Sequence, residues 1–196
     1  MTTLRYGFIG GGFVAAFHLR ALQEVRGMEV AGFYALDPVD RLIAYCREHG
    51  LGEPRAYSSI REMAKQVDVI AIFAPNYARV QHVEEIVDAV KAGAQLKGVI
   101  CEKPLARNMK EGRRVVELIR SVGVPEAYFE NQIHMKPVQA QRAQLRPVME
   151  TMGPPTLARS GEEHGGPHSA WFWDPTRQGG GVLSDMGCHC LAVSWY

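Results

Sequence analysis

The stretch Tyr6-Gly-Phe-Ile-Gly-Gly-Gly-Phe-Val-Ala-Ala16 constrains the fold more than any other part of the sequence. A short apolar run, Leu4 to Ile9, ends in Gly10, Gly11 and Gly12, and Phe13 to Leu22 then carries apolar residues at helical spacing. That order predicts a strand, a tight glycine turn and a helix. Gly10 lets the chain turn sharply, Gly12 lets a ligand approach the backbone closely, and the small Ala15 lets the helix pack against its strand. The first helical turn, Phe13, Val14 and Ala15, offers unpaired N–H groups and the positive end of a helix dipole, which together hold a phosphate without a basic side chain. Gly10-x-Gly12-x-x-Ala15 therefore reads as a dinucleotide-binding turn, with a plain strand-to-helix turn as the alternative.

The rest of the chain repeats the alternation. Strands are predicted at Met28–Ala35, Arg55–Tyr57, Val67–Ala74, Gly98–Cys101 and Glu126–Glu130, with helices at Pro38–His49, Ser58–Gln66, Tyr77–Ala92 and Asn108–Arg120 between them. Val67 to Ala74 is almost continuously apolar, as in a parallel strand covered on both faces. The expected class is α/β, a doubly wound parallel sheet over residues 1–130. From residue 131 the texture changes: a helix over Pro137–Met149, a strand over Thr156–Glu163 that would open a second sheet, a polar and aromatic loop, and a last helix over Val182–Tyr196. Residues 131–196 are expected to begin a second α/β domain that is incomplete at Tyr196.

Asp37 is placed to cap the second helix, with Pro38 at its first position. The end of the second strand also faces the adenine ribose in such folds, so Asp37 either caps the helix or reaches a 2′-hydroxyl, and Arg41 is placed to meet a 2′-phosphate. NAD and NADP both stay open.

With 22 Lys and Arg against 21 Asp and Glu, the net charge of +1 gives no reason to expect nucleic acid. The apolar runs are strand-sized, which excludes a membrane-spanning helix, and Met1 leads directly into the first strand, so a cytoplasmic protein without a signal peptide is expected. Cys46, Cys101, Cys188 and Cys190 form no disulfide framework. Glu162, Glu163, His164, His168, Asp185 and His189 are capable metal ligands, but their spacing matches no tight motif, and no metal is expected.

Three signatures taken together resemble the Gfo/Idh/MocA family of oxidoreductases: Gly10-x-Gly12-x-x-Ala15 followed by His18; Pro75-Asn76 with Glu102-Lys103-Pro104 at two strand ends; and Gly179-Gly180-Gly181-Val-Leu-Ser-Asp185-Met-Gly-Cys-His189. The resemblance covers nearly the whole chain. It implies a Rossmann domain followed by an α/β domain on an open sheet, NAD or NADP as cofactor, and a sugar, inositol or related polyol as substrate. It implies that Pro75, Asn76 and Glu102 lie along the cofactor and that Lys103 sits at the nicotinamide end. Asp185 and His189 then complete the catalytic group, with Asp185 orienting the His189 ring as general base. Family members commonly pair into homo-oligomers and are roughly twice this length, which makes the chain a fragment by expectation. Two departures concern the cofactor: Arg79 stands where many relatives have His, and Ala35 where many have an acid. A catalytically inactive NAD(P)-binding sensor of the same fold is the competing function.

Overall fold

A computed structural model of the chain describes residues 3–167 and 169–196. Six parallel strands, β1 (Leu4–Ile9), β2 (Met28–Tyr34), β3 (Arg55–Ala56), β4 (Val69–Ile72), β5 (Gly98–Glu102) and β6 (Glu126–Phe129), form one sheet in the order β3-β2-β1-β4-β5-β6. The order reverses between β1 and β4, which opens a crevice at their carboxyl ends. The α/β doubly wound class is as the alternation predicted.

Strand pleat divides the core into two layers. Phe8 and Ala71 point to one face, where they meet Ala15 and Leu19 of helix α1 (Phe13–Leu22) and Cys46 of α2 (Asp40–Glu48). Ile9, Ile70 and Ile72 point to the other, against Ile60 and Met63 of α3 (Ile60–Ala64), Val83 and Ile86 of α4 (Arg79–Lys91) and Leu118 and Ile119 of α5 (Met109–Ser121). Ser59 and Asn108 cap α3 and α5, each accepting a backbone N–H three residues on.

Three expectations are corrected. Asp37 does not cap α2. The helix starts at Asp40, because Val39 first buries its side chain (5% exposed) in the layer beneath Gly11, leaving Asp37 and Pro38 in an exposed turn. Thr156–Glu163 is not a strand but irregular and almost wholly exposed chain, since no described strand lies beside it to complete a ladder. The last helix is broken at Met186 into α8 (Gly181–Asp185) and α9 (Gly187–Trp195), so Asp185 and His189 do not share a continuous helical face. Before these come α6 (Lys136–Met152), which buries no residue, and the short α7 (Pro175–Gln178). Among the described residues, no helix is long and apolar enough to cross a membrane.

Candidate cofactor and proton-transfer site

The glycine turn closes on the carboxyl ends of β1 and β4. Gly10 has φ +107°, and a Cβ there would lie 3.0 Å from the backbone of Phe73 and Ala74, so only glycine fits. A Cβ at Gly12 would meet nothing within 4 Å. No side chain caps α1 at Gly12 and no acid lies in its first turn, while Gly12, Phe13 and Val14 are exposed and Ala15 is buried against the sheet. Among the described residues the backbone at Gly12 is thus open to close approach, and the first turn of α1 has no side-chain cap and no acid to repel an anion, which fits a diphosphate.

The ends of β4, β5 and β6 gather the remaining groups. His18, one turn further along α1, stacks on Phe129 (ring centroids 4.9 Å apart) and lies against Phe73 (4.5 Å). Its Nε2 is 2.7 Å from Glu102 Oε1, and the other oxygen of Glu102 accepts the Lys103 N–H at 2.9 Å. Glu102 therefore ties α1 to the turn after β5. The Lys103–Pro104 peptide is cis.

Arg79 is buried, at 3% exposure, with no carboxylate partner among the described residues. Its guanidinium instead donates to backbone carbonyls: Ala74 and Lys103 at 3.2 Å each, and those of Glu102 and Pro104. These bonds clamp the end of β4 to the Glu-Lys-Pro turn and present Lys103 from a rigid base. Nearby, burial and then the Arg79 charge push His82 down to about 4, and its Nδ1 has no partner among the described residues. Asn76 is buried, and its amide donates to the Gln178 carbonyl at 2.9 Å.

Lys103 Nζ donates to both the carboxylate and the carbonyl of Asp185, at 2.9 Å each. The structure thus brings Lys103 and Asp185 together, but not Asp185 and the His189 ring. His189 Nδ1 lies 2.5 Å from Oε1 of Glu130. The expectation that Asp185 orients His189 is corrected: the Lys103 ammonium occupies the Asp185 carboxylate, and His164 Nε2 lies 3.8 Å from its second oxygen. Asp37 and Arg41 are both exposed beyond the end of β2.

The six candidate metal ligands do not converge: the Glu162 carboxylate is bonded to Gln132 at 2.5 Å, His189 to Glu130, and His168 lies outside the described residues. The metal-capable group found is Glu130, Cys188 and His189. The 2.5 Å between its oxygen and nitrogen is a hydrogen bond's length, shorter than the ~3.3 Å separating two ligands on a tetrahedral ion. Burial holds the Cys188 thiol up at about 11, so it is not a thiolate at neutral pH.

Glu130, Arg79 and His18 were not assigned these roles from the sequence. A carboxylate closing a parallel strand at the same sheet edge as Lys103 is a usable signal for Glu130. Nothing local marks Arg79 as a clamp, because its partners are main-chain atoms.

Residues 4–129 match the profile of the GFO_IDH_MocA oxidoreductase family, described as an NAD-binding Rossmann fold. Over 188 residues the chain is 29% identical to the 1,5-anhydro-D-fructose reductase of Ensifer adhaerens, covering 94% of this chain and 54% of that protein. Over 195 residues it is 31% identical to trans-1,2-dihydrobenzene-1,2-diol dehydrogenase of Bos taurus, covering 96% and 54%. An NAD-binding protein from Listeria innocua superposes with a TM-score of 0.75 at 19% identity, over 98% of this chain and 54% of that one, a likeness of fold. The chain spans about half the length of the curated relatives it matches. With its switch-point crevice, its uncapped glycine turn and a family match across most of its length, the chain belongs to the Gfo/Idh/MocA oxidoreductase family, and its six-stranded sheet is that family's NAD-binding Rossmann domain.

Proposed function

We propose that the chain forms the cofactor-binding domain, and with residues 131–196 the start of the substrate domain, of an NAD(P)-dependent oxidoreductase acting on a CH–OH group of a sugar, inositol or related polyol. The observation that carries this reading is the Lys103 ammonium, fixed 2.9 Å from Asp185 at the carboxyl end of β5, on the same sheet edge as the open N-terminus of α1. The matched relatives include a 1,5-anhydro-D-fructose reductase and a trans-1,2-dihydrobenzene-1,2-diol dehydrogenase, which supports a hydroxylated small molecule as substrate.

The bound nicotinamide supplies the acceptor for the hydride that leaves the alcohol carbon. The protein's residues do the rest. Lys103 Nζ, anchored by Asp185, donates a hydrogen bond to the substrate oxygen and stabilises the charge that develops there. His189 Nε2 takes the hydroxyl proton, a task suited to an imidazole near neutral pH. Asp185 holds the Lys103 ammonium in place rather than touching the imidazole.

The test is a titration of the intact protein with NAD and NADP, followed by a polyol panel read as nicotinamide reduction. Lys103→Met is expected to bind nucleotide as the parent does and to lose hydride transfer. Nucleotide binding without turnover on any polyol would favour the sensor. The absence of binding to either nucleotide would overturn both readings.

A further inference from the structure

We propose that Glu130 is the positioning residue for His189: its carboxylate fixes the imidazole with a proton on Nδ1 and so keeps Nε2 as the atom that accepts the substrate's proton. The inference rests on the hydride-transfer reading above and adds to it a carboxylate from the other side of the site.

Glu130 follows β6, the last strand of the nucleotide-binding sheet, whereas His189 lies 59 residues later on α9. Both are 6% exposed. Glu130 Oε1 is 2.5 Å from His189 Nδ1, and it also accepts the Gln132 N–H at 3.0 Å. The Gln132 N–H donates to this oxygen and His189 Nδ1 lies within hydrogen-bond reach of it, an arrangement that suits a carboxylate as the shared acceptor. An ionised carboxylate has no proton to give, so the proton in the contact belongs to Nδ1 and the lone pair to Nε2. No hydrogen bond occupies Nε2 among the described residues.

The second carboxylate oxygen of Glu130 is buried without a hydrogen-bond partner among the described residues. A buried anion with a spare acceptor is poorly compensated until a positive charge forms beside it. When the hydroxyl proton reaches Nε2, the imidazolium is that charge, while the Nδ1 proton stays where it was. The pair is therefore better matched after proton transfer than before, which favours the transition state over the bound alcohol. Asp185 is engaged by Lys103, and the neutral Cys188 thiol adds no rival charge.

Nitrogen-15 NMR of the histidine-labelled intact protein at neutral pH reads the tautomer directly, with His189→Asn used to assign the signal. His189 is expected in the Nδ1–H form, and in Glu130→Met as a mixture containing the Nε2–H form. In steady-state assays Glu130→Met is expected to lower kcat about a hundredfold with KM for the nucleotide unchanged, and Glu130→Asp to recover part of the loss. An Nε2–H tautomer in the unaltered protein, or a kcat for Glu130→Met within about threefold of the parent, would overturn the proposal. Should Glu130→Met fail to fold, the tautomer of the unaltered protein still decides. Should the unaltered protein reduce no nicotinamide, the hydride-transfer reading falls, and the tautomer separately reports whether Glu130 holds the ring.

Discussion

Arg79 shows how a buried cation organises this site through main-chain carbonyls rather than an acidic side chain among the described residues. Four carbonyls, from Ala74, Glu102, Lys103 and Pro104, replace the water that its guanidinium loses. Arg79→Met leaves those acceptors without a donor, and a loss of about 3 kcal/mol is expected in denaturant unfolding. The Glu-Lys-Pro turn should loosen with it, so kcat should fall in the same variant. His82, one turn along α4, feels the same charge. Burial first and Arg79 second lower it to about 4, against 6.5 for a free imidazole. Between those values the unfolded chain takes up a proton that the fold refuses, so stability declines as pH falls through that window. From pH 7 to pH 5 the decline from this residue should be on the order of 1–2 kcal/mol, and His82→Leu should flatten that part of the pH profile. The pairing of His189 with Glu130 and of Lys103 with Asp185 was beyond the reach of spacing: residues 59 and 82 apart meet because α8 and α9 pack against the ends of β5 and β6, which local periodicity does not encode.

At the scale of elements, the glycine turn separates two effects that substitution usually mixes. Gly10 is locked by its positive φ and by backbone 3.0 Å away, so Gly10→Ala should cost about 2 kcal/mol. Gly12 has ordinary φ and open space around it, so Gly12→Ala should change stability by about 1 kcal/mol or less. The methyl group would nevertheless stand where the diphosphate must approach, and calorimetry should show nucleotide affinity reduced tenfold or more. The parallel strands and their helices were legible because runs such as Val69-Ile-Ala-Ile72 admit few other folds. Boundaries set by tertiary packing were not. Val39 delays α2 by burying itself first, the end of α8 at Asp185 splits an apparently continuous helix, and Thr156–Glu163 has strand composition but no described neighbour to pair with.

Across the whole molecule, apolar burial is uneven. The two layers against the sheet are closed, whereas α8, α9 and the loop before them expose Trp173, Val182, Leu183, Leu191 and Trp195, the last at 94%. The 196-residue chain taken alone should therefore self-associate with rising concentration and bind a hydrophobic dye, as sedimentation and fluorescence would show. Stretches on this open side are nonetheless fastened to the sheet end through Asn76 to Gln178, Arg107 to Thr176 and Lys103 to Asp185. The last of these links has a chemical corollary. An ammonium already neutralised by its neighbour offers a hydroxyl a donor but gives a second anion little attraction. Selection at this centre should accordingly disfavour sugar acids: a neutral hexose or cyclitol should surpass the matching uronic acid in kcat/KM, and Asp185→Asn should narrow that gap.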